Sequence, residues 1–207
     1  MHITSRLAVA VFTLGALVAA GAVVAVGAVG DQAPEALRDA VALGQTHDET
    51  LFESFNKSYN LSPSGTIERA EIITEFRRSV LLVREHAQVG DYSFGWDALS
   101  KALLPLKGMV TFIVQVRLNP MNTYGREPAY DLYVSTGPAS GPIASTGVKR
   151  QSVYPPGAAP GSMIAAVRLE ASFPRAAFTR SAAPQLVVTD EKAETLWQAH
   201  LDLSRYR

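Results

Sequence analysis

The chain has 207 residues, with 19 Lys and Arg balanced by 19 Asp and Glu, and no cysteine. Near-neutrality argues against a nucleic-acid binder or a polybasic lipid-binding surface, both of which need concentrated positive charge. The missing cysteine excludes disulfides, thiol catalysis and attachment of lipid through an N-terminal cysteine.

Residues 7–29, LAVAVFTLGALVAAGAVVAVGAV, contain no charged side chain. At about 1.5 Å per helical residue, such a run spans a bilayer core of about 30 Å. Arg6 precedes it, and Asp31 and Glu35 follow it. Positive charge stays on the cytoplasmic side, so the N-terminus is expected inside and the rest of the chain outside. Residues 1–30 are read as a signal peptide or a transmembrane anchor. Length favours an uncleaved anchor; the small residues at Ala28-Val29-Gly30 offer a cleavage site that would release a secreted product. Arg6 is the only charged side chain before Asp31, so residues 31–207 carry 18 bases against 19 acids, a net charge of −1.

Residues 31–60 form an expected juxtamembrane helical region. Pro34 suits a helix start, and Ala36, Leu37, Ala40, Val41 and Leu43 recur at near-helical spacing. The polar stretch 44–49 interrupts it before Leu51, Phe52 and Phe55 resume an apolar face. The turn-rich sequence NLSPSGT at 60–66 punctuates the chain.

Residues 61–107 read as a helix pair. Thr66 is a candidate N-cap for a helix over 67–88, with Ile67, Ala70, Ile73, Phe76, Val80, Val83 and Ala87 as one stripe. Gly90 ends it, and Asp91 is placed to cap a second helix over 92–104.

From residue 108 the hydrophobic period changes to two. Val110, Phe112, Val114, Val116 and Leu118 alternate with polar residues, broken only by Ile113. Further strands are expected at 130–134, 148–154 (a short edge), 163–173, 186–188 and 197–203, separated by Gly/Pro/Ser-rich loops. The fold class is α+β: an N-terminal membrane or export helix, a helix pair, and an antiparallel β-sandwich-like domain of five to seven strands over 108–207.

The chain carries no nucleophile elbow, zinc-protease motif, phosphate-binding loop or dinucleotide fingerprint. His47-Asp48-Glu49 offers ligand types at adjacent positions that point apart on a helix, so they do not chelate together. His86 falls near a helix C-terminus, where its charge suits the dipole. His200, Asp202 and Ser204 share one face of a strand, a row that does not converge as a triad does. Arg77-Arg78 flanks the main helix stripe, where pairing with Glu71, Glu75 or Glu85 explains it. Neither a catalytic residue, a metal nor a cofactor is implied.

The candidate partner contacts are aromatic and arginine residues in loops: Tyr92, Trp96, Tyr124, Arg126 and Tyr154. The reading that follows is a non-enzymatic, membrane-anchored or secreted bacterial-type envelope protein. It contacts the membrane through residues 7–29 and a protein or glycan partner through its β domain. The alternatives are an extracytoplasmic hydrolase, its site assembled from dispersed residues such as His86, His200, Asp202 and the arginine pair, or a structural subunit of an envelope assembly.

Overall fold

A computed structural model describes residues 34–121, 126–137, 141–143, 145–159, 161–178 and 183–206. The apolar run at 7–29 and the candidate contact Tyr124 lie outside them. The described residues form a mixed helix and antiparallel-sheet structure without disulfides, with five α-helices and seven strands in two sheets.

Helix α1 (Pro34–Gly44) buries Leu37, Ala40 and Gly44, one face at three- and four-residue steps. Helix α2 (Glu49–Lys57) starts where the Asp48 carboxylate accepts the backbone N–H of Leu51 at 3.0 Å. The polar stretch between them thus ends one helix and caps the next.

The segment after the turn departs from expectation. Residues Ile67–Ile73 form strand β1, and helix α3 (Glu75–Gln88) begins only after it. The N-cap is Thr74, whose hydroxyl accepts the Arg77 N–H at 3.2 Å, in place of Thr66. A bulge between Ile67 and Arg69 explains the misleading pattern. It shifts the inward phase by one residue, so the core positions are Ile67, Ala70 and Ile72, a three-residue step that imitates a helix turn. The next helix is also shorter than expected. Asp91 caps nothing downstream; α4 (Trp96–Leu103) begins after Gly95, and the connection from α3 runs through residues 89–95.

Strands β2 (Met109–Arg117), β3 (Asp131–Ser135), β4 (Val148–Val153), β5 (Ala166–Pro174), β6 (Gln185–Thr189) and β7 (Thr195–His200) match the expected positions closely. A four-residue helix, α5 (Arg175–Phe178), follows β5. One sheet has the order β1-β2-β5-β4 and the other β3-β6-β7, with every pair antiparallel. The outer edge of β1 is closed by the preceding segment, where Leu61 N–H donates to Ala70 O at 2.8 Å and Ile72 N–H to Tyr59 O at 3.0 Å. The edge strand β4 instead exposes Lys149 and Arg150, charges that discourage further strand pairing.

The two sheets share one hydrophobic cluster. Phe112, Val114, Val116, Leu169 and Phe173 of the larger sheet join Leu132, Val134, Leu186, Val188 and Trp197 of the smaller one. Phe112, Phe173 and Phe178 pack edge to face or tilted within about 6 Å, the arrangement aromatic quadrupoles favour. The helices have their own clusters, Leu37 with Val83, Leu99 and Leu103, and Ala40 with Phe76 and Val80. Phe55 contacts both the sheet core and the second helix cluster, and so joins them.

Candidate functional site

The period-two alternation puts the outer face of the larger sheet in the polar phase, and α3 lies against part of it. Arg77 and Glu71 are buried there, with side chains 3% and 6% exposed. One Arg77 Nη donates to Glu71 at 2.6 Å and the other to Ile72 O at 2.8 Å, while the guanidinium sits 5.3 Å over the Tyr59 ring. Arg69 reaches the other Glu71 oxygen at 2.7 Å from the surface. Arg78 donates to the Thr111 hydroxyl at 2.6 Å, which in turn meets Ser172 at 2.7 Å. Burial lowers the Arg78 pKa, partly offset by the Glu170 carboxylate nearby. The arginine pair therefore pins α3 to the sheet and offers no uncommitted anion clamp.

Beside this pin an open groove of about 700 Å³ runs between α2 and the outer face of β1, β2 and β5. Phe52, Ile73, Leu81 and Ile113 supply its apolar lining. Glu53 and Lys57 stand on the α2 wall, and Arg69 and Arg168 on the sheet wall. Sequence reasoning passed over this groove, although one signal was visible: Ile113 is the off-phase apolar residue of β2.

A second feature lies at the Arg117 end of the larger sheet. Leu118 N–H donates to Ala165 O at 2.9 Å, and Ala165 N–H to Val153 O at 2.8 Å. The Ser152 hydroxyl donates to Glu127 at 2.7 Å. Four chain segments consequently meet at this end, and they carry exposed Met121, Arg126, Tyr154 and Met163. Three of these, Met121, Tyr154 and Met163, are 87%, 51% and 52% exposed large apolar side chains.

The sequence candidates thus divide. Arg126 and Tyr154 fall on this loop tip. Tyr92 and Trp96 are exposed on the α3–α4 connection and the first turn of α4, in the helical part of the molecule. The Tyr92 carbonyl accepts from Gln45 at 3.3 Å, and its ring lies 6.2 Å from His47.

His86 occupies a structural position. His86 Nδ1 lies 2.8 Å from Asp91 Oδ2, and its ring stacks on Phe94 at 3.7 Å. Ser93 Oγ donates to the other Asp91 oxygen at 2.6 Å. Here the carboxylate stands between serine and histidine, whereas nucleophile activation needs the imidazole in the middle. The Ser93 and His86 hydrogen bonds hold the Asp91 pKa below its usual value. Asp202 accepts the Ser204 hydroxyl at 2.6 Å and its N–H at 3.1 Å, capping the single 3-10 turn Leu203–Arg205. Those bonds depress its pKa, and the row His200, Asp202, Ser204 ends as a turn cap.

Among the described residues no group of three or more His, Cys, Asp or Glu could hold a metal ion. No helix among them is long and apolar enough to cross a membrane. Compared with protein families, curated proteins and solved structures, the chain matches none of them.

Proposed function

We propose that this chain is a non-enzymatic, bacterial-type envelope protein, anchored through residues 7–29 or secreted after cleavage there, whose sandwich-like β domain presents its loop tip to a protein partner outside the cytoplasm. The observation that carries the reading is the gathering of Met121, Tyr154 and Met163, all strongly exposed, on segments that meet at one end of a sheet. Flexible thioethers and an aromatic ring on loops supply adaptable apolar contact area of the kind used at protein interfaces. The polar groups around the histidines lack the order that nucleophilic catalysis requires, which favours binding over turnover. The uncharged run at 7–29, with Arg6 before it and acids after it, supports the outward orientation.

The test uses the full chain in its native envelope, with a photo-crosslinking amino acid at Met121 or Met163 and, as control, at Glu191 in the β6–β7 turn. Discrete protein adducts are expected from the first two positions and none from the third. Equal labelling from all three, no adduct from any, or robust turnover on ester, amide, phosphate and glycoside substrates would each overturn the reading.

A further inference from the structure

We propose that the edge of β7 is a self-association surface: two copies of the chain pair their β7 strands antiparallel about a two-fold axis through Ala199, joining their smaller sheets into one. The outer side of an edge strand presents unpaired N–H and C=O groups that another strand can take up, and folded proteins guard such edges. Three of the four edges here are guarded. The segment 59–61 closes β1. Ile143 bridges to the outer side of β3, its N–H donating to Val134 O at 2.8 Å. Lys149 and Arg150 place charge on the exposed edge of β4. The fourth edge, β7 (TLWQAH), has no acid, lysine, arginine or proline, and it exposes Thr195, Gln198 and His200.

The β6–β7 pairing fixes which backbone groups are free. Leu201 N–H donates to Pro184 O at 2.8 Å, so Leu201 turns its peptide groups toward β6. Antiparallel pairing alternates, so Ala199 and Trp197 do the same opposite Leu186 and Val188. Gln198 and His200 therefore point their N–H and C=O away from β6. Among the described residues no hydrogen bond takes these groups up. The register irregularity of the hairpin falls between Val188 and Thr189, which leaves the stretch from Trp197 onward regular.

This short stretch complements itself. With Ala199 on the axis, Gln198 of each copy exchanges N–H and C=O with His200 of the other, which uses the free groups and avoids the irregularity. The two Ala199 residues then face one another in a non-hydrogen-bonded pair, where Cα atoms approach to about 4.5 Å and a methyl group fits. No like charges oppose each other, because Gln198 stands across from His200. Closure favours a second copy over a foreign strand. Each chain has one unguarded edge, so a pair consumes both and stops at two. A foreign strand would leave its own outer side unpaired.

The experiment uses the full chain in detergent micelles with Ala199→Cys, which introduces its only thiol. An added copper oxidant takes one electron from each of two facing thiolates and leaves a disulfide, for which the expected Cα separation is suitable. Non-reducing electrophoresis should show the covalent dimer forming at least tenfold faster than with Lys149→Cys on the guarded β4 edge, the control for encounter within a micelle. Adding Gln198→Lys, which sets like charges beside the axis, should slow the Ala199→Cys reaction at least tenfold. Sedimentation of the parent chain should show a dimer that Gln198→Lys dissociates. Trp197 fluorescence confirms that each variant is folded. Equal rates from positions 199 and 149, or a dimer indifferent to Gln198→Lys, overturns the proposal. Adducts of Ala199→Cys in intact cells with a different protein and none with a second copy would assign the edge to a foreign strand and overturn it too. The crosslinking result at the loop tip stands or falls separately.

Discussion

Substituting Glu71→Gln removes one charge and almost no volume from a deeply buried ionic contact, with side chains 3% and 6% exposed. Arg77 is then left 3% exposed without its carboxylate, retaining its bond to Ile72 O and its contact with Tyr59. Removing one member of a buried pair costs about 3–5 kcal/mol, because the remaining charge stays desolvated. The Gln amide oxygen still accepts one hydrogen bond, which places the expected loss near the lower end, about 3 kcal/mol. Arg69, whose side chain is 63% exposed, supplies a control: Arg69→Ala should cost at most about 1 kcal/mol. At this chain length 3 kcal/mol corresponds to a melting-point drop of roughly 6–12 °C. Trp197 is 5% exposed in the shared sheet core, so its fluorescence reports unfolding of the β structure in urea. Replacing both partners, Glu71→Leu with Arg77→Met, should recover most of the loss, since an apolar pair of similar size has no desolvation cost. If Glu71→Gln and Arg69→Ala lower stability equally, by under about 1 kcal/mol, the contact is solvated and the argument for a dry pin fails.

Gly44→Ala should destabilise by about 1–2 kcal/mol, because a Cβ there would lie 2.6 Å from Val83 Cβ and 2.8 Å from Val80 O; overpacking outweighs the gain in helix propensity. Urea midpoints measure it, and Val83→Ala in the same background should return part of the loss; a midpoint at or above that of the parent chain contradicts the close approach. Ala193 has φ of +62°, so Ala193→Gly should raise stability by about 0.5–1 kcal/mol, the relief of left-handed strain less the added flexibility of the unfolded chain. A lowered urea midpoint would refute it. The Asp202 carboxylate is depressed by its Ser204 bonds, so its contribution is present above the unfolded carboxylate value of about 3.9 and is lost as pH falls through the lower folded value. Asp202→Ala should therefore be less stable than the parent at pH 7 and indistinguishable from it well below that range; a difference that persists in acid would assign the effect to packing.

The strands after residue 108 were legible because apolar and polar side chains alternate along most of them, although the outward side is itself covered in places, as at Thr111 and Val187. Val110, Phe112, Val114 and Val116 enter the shared core, while Thr111, Gln115 and Arg117 face out, so period two is written directly into β2. β1 was not legible, for two reasons. Its bulge spaces the inward residues three and then two apart, and its outward positions include buried Glu71 and Ile73, which erase the polar phase. The early start expected for α4 failed on local chemistry. Asp91 has the right side chain to cap a helix, but His86 behind it and Ser93 ahead of it occupy the carboxylate first.

The candidate sites divide along the same line. Tyr154 and Arg126 could be singled out as loop residues, because an aromatic or arginine between turn signals is already an anomaly in one dimension. That their loops meet is a consequence of topology: β4 and β2 flank β5, which brings residues 118, 153 and 165 within hydrogen-bonding reach. The groove depends on topology entirely. Residues as far apart in the chain as Glu53 and Arg168 line it together, with β1, β2 and β5 side by side in an order set by strand pairing and not by proximity in the chain. β2 is the strand common to both places. Its inner face is core, its off-phase Ile113 lines the groove, and the chain leaving its C-terminus enters the loop tip. The one departure from alternation in the clearest strand of the sequence is therefore a residue that the fold covers on the sheet's outer face. Such a residue would cost solubility on a solvent-facing sheet, and at 6% exposed it is buried beside Arg77 and Leu81 of α3. An apolar residue in the polar phase of a strand that otherwise alternates is accordingly the sequence signal that something packs over that face of the sheet.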